Sequence, residues 1–223
     1  MYCVIMGDIV NSRDLDSNSR DNIKRASKVI FDRINTKYAK NLMASFGLVR
    51  GDAFEGVLLT QHDAPQIVQD IIKAFYRADK TVVRICVVLG GLTVTSSDRN
   101  ETDGPAFHRA LDALEEMKKS GSNHWFQVSF DICEREKPLV DSNLALLSAL
   151  TERWTDKQRE VVWATEENGG NQKSVGIMFG IMPSVVSRQL KVAKYDIYRQ
   201  AWAALSAFLA AYGDIIEQEG ESI

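Results

Sequence analysis

VRGDAFEG, Val49 to Gly56, places Gly51 and Asp52 between two apolar runs, Met43 to Val49 and Ala53 to Leu59. Two short apolar stretches joined by a glycine read as a β-hairpin, because glycine supplies the positive φ that tight turns need. That accounts for Gly51 and leaves the acid at Asp52 open, since an Asp in a turn also serves as an Asx-type backbone partner. Working outward, YCVIM (Tyr2 to Met6) is a buried-strand run ended by Gly7 and Asp8. Ile23, Ala26, Val29, Ile30 and Ile34 recur at three and four residues, which predicts a helix over about 17–40. A second helix is expected from about Asp63 to Ala78, with Ile67, Ile71 and Phe75 on one face. TVVRICVVLGGLTV (Thr81 to Val94) is the longest strand candidate, and Gly90-Gly91 marks a bend or a close backbone approach. Pro105 opens a third helix running through Lys119, and HWFQVSF (His124 to Phe130) reads as a last strand. The order β, α, β, β, α, β, α, β is the split βαβ pattern of ferredoxin-like and palm domains, an α+β class.

Near CEREKP (Cys133 to Pro138) the composition turns charged and no strand follows, so the sequence divides into an α/β domain over 1–135 and an all-α domain over 136–223. Leu139 to Trp154 and Thr155 to Asn168 read as helices, the second capped by Thr155 on the amide of Gln158. The chain has 223 residues and a formal net charge of −3, which excludes a uniformly polybasic protein but not a local basic patch. Cys3, Cys86 and Cys133 are odd in number and far apart, so a disulfide framework is not expected. No apolar stretch approaches the roughly 20 residues that span a bilayer, and MYCVIMGD lacks a basic segment before its apolar run. The expectation is a cytoplasmic protein with no membrane partner.

Asn171 to Gln200 reads as two short helices separated near Gly180 to Pro183, in the manner of a helix-turn-helix. Val175, Met178 and Phe179 are expected to pack the first helix, and Val185 or Val186, Leu190 and Ala193 the second. That leaves Ser184, Ser187, Arg188, Lys191 and Lys194 outward. Within this segment Lys173, Arg188, Lys191, Lys194 and Arg199 face the single acid Asp196. Such a stripe suits phosphate contacts and major-groove entry, with Lys173, Ser184, Ser187, Arg188, Lys191 and Lys194 as candidate DNA contacts. A solvated face on a small helical bundle is the plainer alternative.

Asp8 closes the first strand and Asp52 sits in the hairpin between the second and third, strands that neighbour each other in a split βαβ sheet. Two acids at one sheet edge repel, and a hard cation such as Mg²⁺ relieves this with one or two carboxylates plus phosphate oxygens. The expectation is therefore a shared site, with the carboxylates roughly 4 to 6 Å apart. Ser12, Arg13 and the amides of the turn beginning at Ile9 are placed to receive phosphate. Alternatively, Asp8 caps the turn or pairs with Arg13 or Arg50.

GDIVNSR (Gly7 to Arg13), GDAFEG (Gly51 to Gly56) and DGPAFHRA (Asp103 to Ala110), in that order, resemble the SatD family of bacterial proteins, which joins such a domain to a C-terminal helix-turn-helix. A more distant resemblance is to class III nucleotidyl cyclases, in Asp8-Ile9, Gly51-Asp52, RICVVLGGLTV and GPAFHRALDAL. It implies metal-binding aspartates at Asp8 and Asp52. It also departs from the cyclase pattern: His108 and Asp112 stand where a transition-state asparagine and arginine are found, and Leu48 where a base-reading lysine precedes the hairpin. An acid at the arginine position opposes phosphoryl transfer, which relies on positive groups, although Arg109 or Arg13 are candidate substitutes and candidate phosphate ligands.

His108 and His124 belong to no close ligand cluster, and Arg84 in its apolar strand reads as solvent-facing or ion-paired. Trp202, Leu205, Leu209, Tyr212 and Ile216 recur at helical spacing, as a bundle core or a dimer seam. The leading expectation is a DNA-binding transcriptional regulator, a homodimer in one form, in which a Mg²⁺- and nucleotide-binding palm-like domain controls the helix-turn-helix. The alternative is a Mg²⁺-dependent cyclase-like or nucleotidyltransferase enzyme acting on NTP, and a further alternative is a non-catalytic scaffold.

Overall fold

The computed structural model describes residues 1–12, 16–49, 51–96, 101–120, 127–132 and 135–220, with Ser17 and 213–220 as backbone alone. Arg13, Arg50, His124 and Cys133, singled out above, lie outside these residues, as do Trp125 and Phe126 of the expected last strand. The elements are β1 (Tyr2–Ile9), α1 (Ser17–Lys37), β2 (Leu42–Leu48), β3 (Ala53–Leu58), α2 (Ala64–Asp79), β4 (Val83–Gly90), α3 (Pro105–Lys119) and β5 (Gln127–Asp131). Helices α4 (Lys137–Glu152), α5 (Asp156–Glu167), α6 (Gln172–Phe179), α7 (Pro183–Val192) and α8 (Tyr195–Gly220) follow. The fold is an α+β palm-like sheet followed by a helical C-terminus, as the order of apolar runs predicts. A 3-10 turn at Ala39–Asn41 ends the first helical run three residues earlier than its periodicity suggests.

The sheet order is β2-β3-β1-β4-β5, with β1 antiparallel to both β3 and β4 and β5 parallel to β4. Alternation along β1 assigns the two faces. Cys3, Ile5 and Ile9 join the main core under α1 and α2, where Phe31, Phe46, Phe54 and Phe75 pack ring against ring. Val4 and Met6 face the other way and, with Cys86 and Val88, meet Ala106, Phe107 and Ala110 of α3. A Cβ on Gly90 would lie 3.2 Å from that of Ala106, so the close approach expected at the glycine pair occurs there. Both Cys3 and Cys86 are buried, and burial pushes their thiols upward, Cys86 to about 12.

The helical segment continues the sheet's main core. Trp163, Val161, Trp202, Leu205 and Leu209 belong to the same buried cluster as the apolar face of α2. Polar groups follow the same line: Lys73 Nζ meets Glu166 Oε2 at 2.8 Å, Arg77 meets Glu160 at 3.1 Å and Glu167 at 2.6 Å, and Lys80 meets Asp156 at 2.5 Å. The pairs recur once per turn along α2, and their partners run from Glu167 back to Asp156 on α5, so one face of each helix is matched against the other. Arg77 also lies over the Trp163 ring, 5.3 Å from its centroid. The Thr155 cap has the expected form, with the hydroxyl accepting from Gln158 N and the Gln158 side chain accepting from Thr155 N.

Burial raises the carboxyl pKa of Glu166, and Lys73 only partly offsets it. A raised carboxylate stabilises the fold below its ordinary value and loses that contribution as pH rises through the folded value. The stability difference between Glu166→Gln and the parent is therefore expected to move in favour of the variant as pH rises above the ordinary glutamate range, on top of a constant cost for leaving Lys73 without its carboxylate, read from urea midpoints at each pH.

Candidate functional site

Asp8 lies at the end of β1, 3% exposed, and alternation turns it to the α3 face. Its register partner on β4 is Arg84, which donates from Nη1 to Oδ1 at 2.9 Å, while Lys118 from the last turn of α3 reaches Oδ2 at 2.7 Å. Arg84 Nε is held by Gln127 Oε1 at 3.0 Å. A buried carboxylate needs this much pairing, since one left unpaired in low dielectric is driven to its neutral form. The ion-paired reading of Arg84 is what the structure contains. Lys118 carries no comparable sequence signal, because only the crossing of α3 over the sheet brings it to Asp8.

Asp52 takes the other direction. Gly51, at φ 63°, turns the chain out of β2, and Asp52 accepts a hydrogen bond from the Ser12 hydroxyl. Ser12 follows Asn11, whose φ of 58° lies in the left-handed region that Asn tolerates. Together Ile9, Ser12, Gly51 and Asp52 form one wall of a cavity of about 290 Å³, and Arg20, Ile23 and Lys24 of α1 form the other. The structure thus brings Ile9, Ser12 and Asp52 together as the sequence groups them. It adds Arg20 and Lys24, spaced one helical turn apart on α1, whose charge alone carries no sequence signal for a site.

The two aspartates have different neighbours. Asp8 meets Arg84 and Lys118 on the α3 face, whereas Asp52 borders a cavity with α1. Both oxygens of Asp8 are occupied by cationic nitrogens, and among the described residues no group of three His, Cys, Asp or Glu side chains is placed to hold a metal ion. A cation shared by the two carboxylates would have to displace Arg84 or Lys118 from Asp8. Arg109 is also elsewhere. Its guanidinium binds Asp131 Oδ2 and the Leu89 carbonyl, both at 2.6 Å, and Leu89 lies five residues along β4 from Arg84, about 17 Å at strand spacing. His108 is exposed beside Asp103 at 3.6 Å, and Asp112 is exposed.

The second candidate surface is the α6–α7 unit. Asn171 caps α6 by accepting from the amides of Lys173 and Ser174, and Gly180, at φ 62°, ends it in the left-handed conformation. Pro183 then opens α7. Val175, Val186, Leu190 and Ala193 are buried as expected, and the buried one of the adjacent valines is Val186. Met178 departs from expectation: it is 60% exposed, beside Ile177 and Met182 at 84% and 70%. Trp154 fixes the end of α7 by donating from Nε1 to the Ala193 carbonyl at 2.9 Å, with its ring 4.9 Å from that of Tyr198. Lys173, Ser184, Ser187, Arg188, Lys191 and Lys194 are all exposed.

The SatD family profile matches residues 2–207, so the chain belongs to that family. No curated protein matches the sequence. Among solved structures, the catalytic core of a rhodopsin-guanylyl cyclase with converted specificity, in complex with ATPαS, aligns at 19% identity and a TM-score of 0.41, covering 57% of this chain and 76% of that one. A regulator of polyketide synthase expression from Bifidobacterium adolescentis aligns at 13% identity and a TM-score of 0.27, covering 96% of this chain and 80% of that one. At these values neither likeness bears on chemistry. No helix among the described residues is long and apolar enough to cross a membrane.

Asp8→Asn removes the carboxylate charge from between Arg84, whose side chain is 16% exposed, and Lys118. The expected result is a loss of about 3 kcal/mol in urea unfolding, because a largely buried guanidinium is left without its counter-charge. Asp52→Asn, in the more open cavity, is expected to change stability by less than about 1 kcal/mol.

Proposed function

We propose that this SatD-family protein binds duplex DNA through α6 and α7, with α7 entering the major groove, and that an anionic ligand of nucleotide type in the cavity beside Asp52 regulates that binding. The observation that carries the DNA reading is an unneutralised basic face. Lys173, Arg188, Lys191 and Lys194 are exposed, no acid occurs between Asn171 and Lys194, and none of the four makes an ion pair among the described residues. Along the α2–α5 interface of this net-acidic chain, by contrast, cations are matched with carboxylates. Phosphate oxygens supply the counter-charge this face lacks. Ser184 and Ser187, in the first turns of α7, suit contacts to base edges or phosphates at the mouth of the groove, where recognition helices enter.

The regulatory part rests on the cavity and on a route out of it. Arg20, Lys24 and Ser12 suit the phosphates of a small anion, and Asp52 suits a ligand hydroxyl or amine. The route is packing: α1 and α2 share the main core, α2 is matched to α5, and α5 packs against α7. An enzyme reading has less behind it, since Arg109 is at the other end of the sheet and Asp8 is already paired.

Arg188→Ala with Lys191→Ala is expected to weaken binding of a random-sequence duplex and to reduce the salt slope by about one unit per lost phosphate contact, measured by fluorescence anisotropy across a salt series. Unchanged affinity would reject the interface. ATP or GTP is expected to shift wild-type DNA affinity by about 5-fold to 150-fold, and Arg20→Ala with Lys24→Ala to abolish that shift while sparing basal binding. Identical isotherms with and without nucleotide would remove the regulatory half alone.

A further inference from the structure

A larger cavity, of about 550 Å³, lies on the outer side of α1 and α2 and reaches Glu167 at the end of α5. Its charges are distributed unevenly. Toward α5, Lys73 and Arg77 are matched with Glu166 and Glu167. Toward the end of α1, Arg33 is exposed and makes no ion pair among the described residues. Lys37 is one turn from Arg33, and its side chain is 56% exposed. It pairs with Asp70, but that carboxylate also accepts from the Tyr38 hydroxyl at 2.8 Å and from Gln66 Nε2 at 3.0 Å. Lys37 is therefore free to turn to another acceptor without stranding Asp70.

Between these charged ends the floor is apolar. Ala26, Val29 and Ile30 of α1 face Ala74 and Ala78 of α2 across the cavity. Val29 belongs to the apolar periodicity of α1, yet it remains 51% exposed at the mouth instead of joining the core with Ile23, Ile30 and Ile34. From Arg33 back to Ala26 is about 10 Å along the helix axis. The volume falls within the roughly 300–1,000 Å³ of small-molecule sites.

From this charge and shape we propose that the α1–α2 cavity binds a small amphipathic monocarboxylate, its carboxylate between Arg33 and Lys37 and its apolar body over Val29, Ala26, Ala74 and Ala78. One uncompensated cation matches one negative charge, and Asp70 beside it disfavours a polyphosphate. The site is separate from the cavity at Asp52, and the proposal is independent of the DNA reading.

The test is isothermal titration calorimetry of the full chain with decanoate, decanol and acetate, all below micelle-forming concentration. Decanoate is expected to bind at least about ten-fold more tightly than either comparator, since each comparator lacks one of the two contacts. Arg33→Ala with Lys37→Ala is expected to weaken decanoate about ten-fold or more, and Val29→Asp to do the same, with thermal unfolding close to that of the parent because all three positions are exposed. Equal binding of decanol and decanoate, or unchanged decanoate affinity in the Arg33/Lys37 variant, would overturn the assignment. The absence of a decanoate titration would overturn it too.

Discussion

Helix α2 is buried on two sides, and the rest of the molecule is arranged around that constraint. Ile67, Val68 and Ile71 have no exposed surface, and Phe75 has 1%. This is the stripe that an amphipathic helix lays on a sheet. The opposite side also carries Gln69 and Lys73, which are 7% and 6% exposed and polar. Buried polar groups require partners, and here they come from the C-terminal half: Tyr198 donates to Gln69 at 3.5 Å, and Glu166 meets Lys73. The helical segment therefore completes the burial of α2, and its own Trp163 and Trp202 lose their solvent exposure in the same step. A sheet with α2 uncovered would present a buried-type lysine to water beside a broad apolar face.

The placement of charge separates structural work from surface work. Asp8 is held by Arg84 and Lys118 deep against α3, a geometry that fixes where the helix crosses the sheet. The α2–α5 pairs fix a second interface in the same way. The α6–α7 face has no such matching, and neither does Arg33 at the rim of the larger cavity. Surface cations are ordinary singly, so the argument lies in their grouping: four on one acid-free two-helix unit, and one beside an apolar trough. Grouped charge without a counter-charge is what an anionic partner would complete.

Strand and helix order, the hairpin at Gly51, the Thr155 capping box and the two-helix unit with its outward basic residues could all be read from local pattern, because turn chemistry and periodicity act over a few residues. The same local logic grouped Ile9, Ser12 and Asp52, which line one wall of a cavity. It misplaced Met178 and Val29, because period alone marks an apolar edge without saying what element covers it. Strand adjacency sets Asp8 beside the hairpin of Asp52, but side-chain alternation and the crossing of α3 decide its partners, among them Lys118 from the far end of α3. Arg109 followed the same rule, because the helix direction carried it to the far end of β4. The sequence by itself determined which segments form elements and which edges are charged. Which carboxylate meets which cation, and which apolar edge stays open, was decided only by tertiary packing, because those pairings depend on how distant elements cross and not on the residues beside them.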